Sequence, residues 1–369
     1  MSEWKKVRLG DILLIQKKSK IKASDGIENG IYPFFTCSND IVRTYNSAQY
    51  KGPALIFGTG GKASVHFCDT EFSTSTDCLT YYPVSSEINL DLVNKYIQSN
   101  IYLLENGFKG AGLKHVSRDY IANIEINLPD IKTQNCIVQK LNKAKNIISN
   151  SKKLLTKYDL LIKSRFIEMF GEPATNPKKW EIKTLDEVCK KITDGKHGGC
   201  KLEDNSDYYY VGAREIFDLN IHYETAQEIT KEDFEKDYKR CNLEIGDFCI
   251  VNTGATIGKT AIAKDVRSTK TLLQKSVALL KTKENLLSAL YLQYSYITNP
   301  SMYKVENASA QPNLLLSKIR ETKIMLPPLF LQNDFASFVQ QIDKSKFTVQ
   351  KALEKTETLY KSLMQRYFA

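Results

Sequence analysis

Three short stretches hold residue types that do chemistry. Gly254-Ala-Thr-Ile-Gly-Lys-Thr260 carries the glycines, lysine and hydroxyl of a phosphate-cradling loop. It misses the pattern by one position, because Thr253 stands where the first glycine belongs. Ala261-Ile-Ala263 also reads on as strand, where such a loop needs a helix. Phe108-Lys-Gly-Ala-Gly112 has the F-x-G-x-G spacing that lets backbone approach S-adenosylmethionine. The Leu-Leu-Glu-Asn before it reads as a helix end, not the required strand. No Asn-Pro-Pro-Tyr or Asp-Pro-Pro-Tyr occurs to hold a target base. Asp194-Gly-Lys-His197 with Cys200 offers one imidazole and one thiol, too few for a tetrahedral metal site. His66, His115, His197 and His222 are scattered without partner motifs, and a nuclease-like pair of acids is not evident. The expectation is a chain that binds rather than turns over, with no metal and no bound cofactor.

Charge indicates what it binds. The 52 Lys and Arg outnumber 42 Asp and Glu, for a net charge of +10 and an isoelectric point near 9.0. Such a surplus suits an acidic polymer, nucleic acid first. Candidate contacts in the first half are Lys62, Lys109, Lys114, His115 and Arg118. In the second half they are Lys196, His197, Arg214, Lys259, Lys270, Gln274, Lys275, Gln311 and Asn313. Arginine suits a bidentate grip on guanine, and side-chain amides suit adenine. The competing readings are solvated turns, an Arg214–Glu215 ion pair and turn capping around Pro312. Eight cysteines without a C-x-x-C pair read as reduced thiols. No apolar run approaches the roughly 20 residues that span a bilayer, and the first residues lack a signal-peptide core. These features lead to an expected cytoplasmic location and no membrane partner.

The elements that must position these residues come twice. Residues 128–170 read as residues 326–368 at a constant offset of 198: Gln134 meets Gln332, Asn135 meets Asn333, Leu155 meets Leu353 and Lys157 meets Lys355. Trp4, Leu9 and Ile12 echo Trp180, Leu185 and Val188 at an offset of 176. Residues 1–129 and 173–327 read as mixed strands, turns and short helices. Strands are expected at 54–57, 79–84, 124–128, 208–211, 248–251 and 324–326, and helices at 92–104 and 288–296.

Residues 130–172 and 328–369 change period. Leu141, Ile148, Leu155, Ile162 and Met169 recur every seven residues, widened by Ile147, Leu154 and Leu161. The second stripe places Phe335, Ile342, Val349 and Leu363 on one seam, with Val339, Leu353, Tyr360 and Tyr367 beside it. Each segment predicts one helix roughly 60 Å long. An apolar seam is unstable unless covered, so the helices are expected to pair antiparallel as a coiled coil. Their broad stripes leave room to dock partner helices. Residues 131–170 carry nine Lys or Arg against two acids. The fold class expected is α+β: two globular mixed α/β domains separated by two long antiparallel helices, with an internal pseudo-two-fold repeat.

In this order and duplicated, the features resemble the specificity subunits of type I restriction–modification enzymes. The residues carrying the resemblance are Trp4-x-x-x-x-Leu9 and Trp180-x-x-x-x-Leu185, Asp194-Gly-Lys-His197 and Gly254-Ala-Thr-Ile-Gly-Lys259. Leu128-Pro129…Gln134 and Leu326-Pro-Pro-Leu-Phe-Leu-Gln332 complete it, and it spans nearly the whole chain. The first half departs from the pattern, with no Asp-Gly-x-His and with Lys51-Gly-Pro53 where the second half has Ile245-Gly-Asp247. The resemblance implies two target recognition domains, each reading half of a split sequence in double-stranded DNA. It implies that the helices set the spacing and dock two copies of a modification (methyltransferase) subunit. S-adenosylmethionine would then be bound by those partners, and a restriction (translocase) subunit could join. Half-sites one turn apart lie about 34 Å from each other. Two rival readings are a non-catalytic coiled-coil scaffold and a DNA methyltransferase or nuclease in its own right.

Overall fold

The computed structural model describes residues 4–40, 43–110, 112, 114–304 and 313–368. Gln311 lies outside the described residues. The chain divides into two compact units, residues 1–153 with 350–369, and residues 154–349.

In the first unit, Ala54–Gly58 is apolar throughout and buried at every position. Such a run suits a central strand, and it pairs antiparallel with Ser64–Cys68 on one side and Cys78–Pro83 on the other. Leu13–Ile15 completes this four-stranded sheet. A second sheet sets Tyr32–Phe35 antiparallel to Arg43–Tyr45 and parallel to Glu71–Thr74. Glu125–Leu128 alternates, with Ile126 and Leu128 buried, and pairs with Lys5–Arg8. The helix expected over 92–104 is two helices, Leu90–Ser99 and Tyr102–Glu105. The break falls where Asn100 leaves the helical region, with φ −118° and ψ 46°.

The second unit repeats the main strands of this topology, without a counterpart to Tyr50–Lys51 and with an extra hairpin of Ile216–Phe217 and Asn220–Ile221. Its four-stranded sheet runs Cys189–Asp194, Val277–Thr282, Phe248–Val251, Thr260–Ile262. Tyr209–Val211 lies antiparallel to Gln227–Glu228 and parallel to Thr271–Leu273. Glu181–Thr184 pairs with Lys323–Leu326, and the helix Ala289–Thr298 takes the place of Leu90–Ser99. The helix Lys231–Cys241 is an addition of this unit.

Both long segments are single 40-residue helices, Ile131–Phe170 and Leu329–Phe368. In the first unit the start of one meets the end of the other: Ile137, Val138 and Leu141 share a core with Tyr360, Leu363 and Phe368. Lys152 and Glu357 form an ion pair at 2.8 Å. In the second unit Ile162, Phe166 and Phe170 share a core with Phe335 and Val339, and Lys346 reaches Asp159 at 2.5 Å. The pairing is antiparallel within each unit. Leu141, Ile162, Phe335, Val339 and Leu353 are buried. Ile148, Leu155, Met169, Ile342, Val349, Tyr360 and Leu363 are half-buried. The seam also takes in Phe166, Phe170 and Phe368, which the seven-residue spacing left aside. The widening positions Ile147, Leu154 and Leu161 stay exposed at 42, 38 and 46 %.

The repeated glutamine has a structural cause. Gln134 accepts from Asn89 N–H (2.8 Å) and donates to the carbonyls of Glu87 (3.2 Å) and Pro129 (2.9 Å). Gln332 accepts from Ser288 N–H (2.9 Å) and donates to Leu286 O and Pro327 O, both at 2.9 Å. In each unit one buried amide clips the loop before a helix to the first turn of a long helix.

Candidate nucleic-acid interface

In the first unit the polar candidates gather beyond the end of Ala54–Gly58. The turn at 59–62 is stitched to residues 109–116. Gly61 N–H donates to Lys114 O (3.1 Å), Val116 N–H to Thr59 O (3.1 Å), and Lys109 and His115 exchange backbone hydrogen bonds at 2.9 and 3.0 Å. His115 Nδ1 lies 3.2 Å from Thr59 O. Lys62, Lys109, Lys114 and His115 therefore share one exposed surface. Arg118 is exposed as well, opening the helix Arg118–Ala122, whose N-terminus Ser117 caps.

The second unit builds the same junction with different side chains. Thr253 bridges to Asn313 as Gly60 bridges to His115. Leu314 N–H donates to Asn252 O (2.7 Å) as Val116 does to Thr59. His115 and Asn313 thus occupy matching places in the two repeats. Thr253 Oγ1 donates to Asn313 Oδ1 (3.1 Å). Lys259 stands exposed at the end of the glycine turn.

The Asp194-Gly-Lys-His197 motif forms a second cluster. Lys196 N–H donates to Leu273 O (2.7 Å) and Lys275 N–H to Lys196 O (3.0 Å), which brings Lys196, His197, Gln274 and Lys275 together. Gly195 is required by contact, since a Cβ there would sit 2.1 Å from Leu273 O. Asp194 is the cluster's organiser. Arg240 grips one of its carboxylate oxygens and both the Asp194 and Gly195 carbonyls, and His197 Nε2 lies 3.1 Å from the other. Burial pushes the Asp194 carboxyl up, but the bonds from Arg240 and His197 outweigh it and hold the group below its ordinary 3.8.

Lys196 does not face outward as a free cation. Its ammonium pairs with Asp237 at 2.6 Å, with its side chain only 14 % exposed. Asp237 lies on the added helix Lys231–Cys241, so no local pattern could have signalled the pairing. Arg214 is exposed, and the Arg214–Glu215 ion pair open to the sequence is absent. Glu215 instead turns inward to accept Gly212 N–H (2.9 Å). Lys270 lies with its ammonium 5.7 Å from the Tyr208 ring centroid. Arg214 and Gln274 line one hollow of about 270 Å³. Gln227 joins them there. It is a lone glutamine on a two-residue strand, and nothing in the local pattern marks it. Among the described residues no group of three His, Cys, Asp or Glu could hold a metal ion. No helix there is long and apolar enough to cross a membrane.

Residues 1–157 and 177–357 both match the family model for the type I restriction modification DNA specificity domain. The chain belongs to this family. It is 24 % identical to the type I restriction enzyme MjaVIII specificity subunit of Methanocaldococcus jannaschii, across 98 % of this chain and 91 % of that protein. The fold matches the crystal structure of a type I restriction–modification S subunit from M. genitalium, with a TM-score of 0.71 and 15 % identity over 100 % of this chain and 96 % of that one. A chain from a type I R-M system, solved to describe complex assembly and conformational transition, matches with a TM-score of 0.56 and 17 % identity, over 99 and 97 % of the two chains. As a type I specificity subunit the chain is a non-catalytic DNA-recognition component.

Proposed function

We propose that this specificity subunit reads a bipartite DNA target, one half with each unit, and leaves the bases between unread. The observation that carries this reading is the duplication of the recognition unit's main sheet and terminal strand pair, down to the matching Gly60–His115 and Thr253–Asn313 junctions. Exposed cations at both junctions supply sequence-independent phosphate binding, and side chains entering a groove supply sequence. The long helices fix the unread gap and dock two modification subunits. Exposed apolar side chains support that docking role: Ile147 in the first unit, and Leu154, Leu160 and Leu161 in the second. S-adenosylmethionine belongs to those methyltransferase partners, and a restriction subunit adds to the same assembly. Footprinting of the assembled complex on its target tests the reading. Two specific blocks flanking a stretch whose bases can be changed freely are expected. One contiguous block sensitive throughout would overturn it.

A further inference from the structure

Most polar side chains around the second unit's parallel strand pair already have protein partners. Lys196 holds Asp237, Asp194 holds Arg240 and His197, Glu228 accepts from Ser206 N–H, and Arg267 holds Asp265 and Glu224. Three side chains that share one hollow differ. Arg214, Gln274 and Gln227 border one hollow of about 270 Å³, and none makes a side-chain hydrogen bond or ion pair among the described residues.

All three stand on rigid backbone. Gln274 follows the strand Thr271–Leu273, and its N–H donates to Val211 O (2.8 Å). Its side-chain amide lies over Gly212, where a Cβ would be 2.3 Å from Oε1. Gly212 therefore makes room for the Gln274 side chain. Arg214 springs from a turn held by Glu215 through Gly212 N–H (2.9 Å) and by Ser276 Oγ through Ala213 N–H (3.2 Å). Gln227 is paired by backbone to Tyr210. Five guanidinium donors and two primary amides thus surround a single concavity with their hydrogen-bonding capacity unused. Lys270 and Lys275 stand exposed on either side of the strand Thr271–Leu273.

We propose that Arg214, Gln274 and Gln227 are the base-reading side chains of the second unit, an assignment that rests on the bipartite reading above. Arg214 takes the O6 and N7 edge of a guanine, and the two amides take the N6 and N7 edges of adenines, because those donor and acceptor pairs match. Lys275 binds phosphate and positions the unit without reading sequence.

The test uses the full chain assembled with its modification subunit and a duplex library randomised at every position of the target. Methylated products are sequenced for the parent and for R214A, Q274A, Q227A and K275A. Each of the first three is expected to relax one base pair, with discrimination falling on the order of ten- to a hundredfold. All relaxed pairs should lie in the same half, while the other half stays unchanged. K275A should lower yield on all sequences alike. If a variant methylates too weakly to sequence, competition binding of its complex against single-base-substituted duplexes gives the same readout. Unchanged preference in all three variants, or relaxation in both halves, would overturn the assignment. A parent that recognises one contiguous site overturns the bipartite reading itself, which separates the two failures.

Discussion

Gln134 and Gln332 stand out at the residue scale. Both are almost wholly buried, at 2 and 0 % exposure, and each satisfies its amide on backbone groups far upstream. Replacing Gln332 by Ala would orphan Ser288 N–H and two carbonyls. A loss of about 1–3 kcal/mol is expected, read as a lowered urea midpoint. An unchanged midpoint would contradict the clip. Asp194 gives a pH-dependent counterpart. Its folded value lies below 3.8, so its stabilisation is complete above that value and fades as pH falls through the lower folded value. Asp194→Asn is expected to melt earlier than the parent at neutral pH, with the difference closing only in strong acid. A gap that widened toward acid would reverse the assigned sign. The glutamines could be found in the sequence because the repeat aligned them. Their reason could not, since it lies in loops 45 residues or so away. Lys196 was likewise visible as a lysine, while its commitment to Asp237 was not.

For the elements, the long helices were the most legible part of the chain. Seven-residue recurrence marked their apolar seam, and the absence of proline marked their length. Recurrence alone could not say which shoulder of a wide stripe is covered. The structure covers the side carrying Phe166 and Phe170 and leaves Leu154 and Leu161 in solvent. Phe166 stacks among Phe170, Tyr291 and Phe335 at centroid distances of 5.0, 5.4 and 5.4 Å. Phe166→Ala should cost about 3–5 kcal/mol in chemical unfolding. Leu161→Ala should stay within about 0.5 kcal/mol of the parent yet weaken capture of the modification subunit on size-exclusion chromatography. Equal destabilisation by both would show that the exposed stripe is part of the core. Short strands were legible where apolar runs were dense, as at Ala54–Gly58. The helix break at Asn100 was not, because Leu92 to Leu104 keeps apolar spacing across it.

At the scale of the whole molecule, duplication is what ties sequence to function. The order of the main strands in the first unit recurs in the second. Side chains at matching places differ, as His115 and Asn313 do, so on the proposed bipartite reading the two units would meet different half-sites. The surplus of positive charge predicts that raising salt from about 50 to about 200 mM lowers DNA affinity of the complex by orders of magnitude. A flat titration would contradict phosphate-based positioning. Bipartite reading is most directly tested by mapping methylated bases across the genome in cells with and without this chain. Two short specific blocks at a constant separation, methylated only when the chain is present, are the predicted result. An unchanged map, or methylation within one uninterrupted sequence, would contradict it.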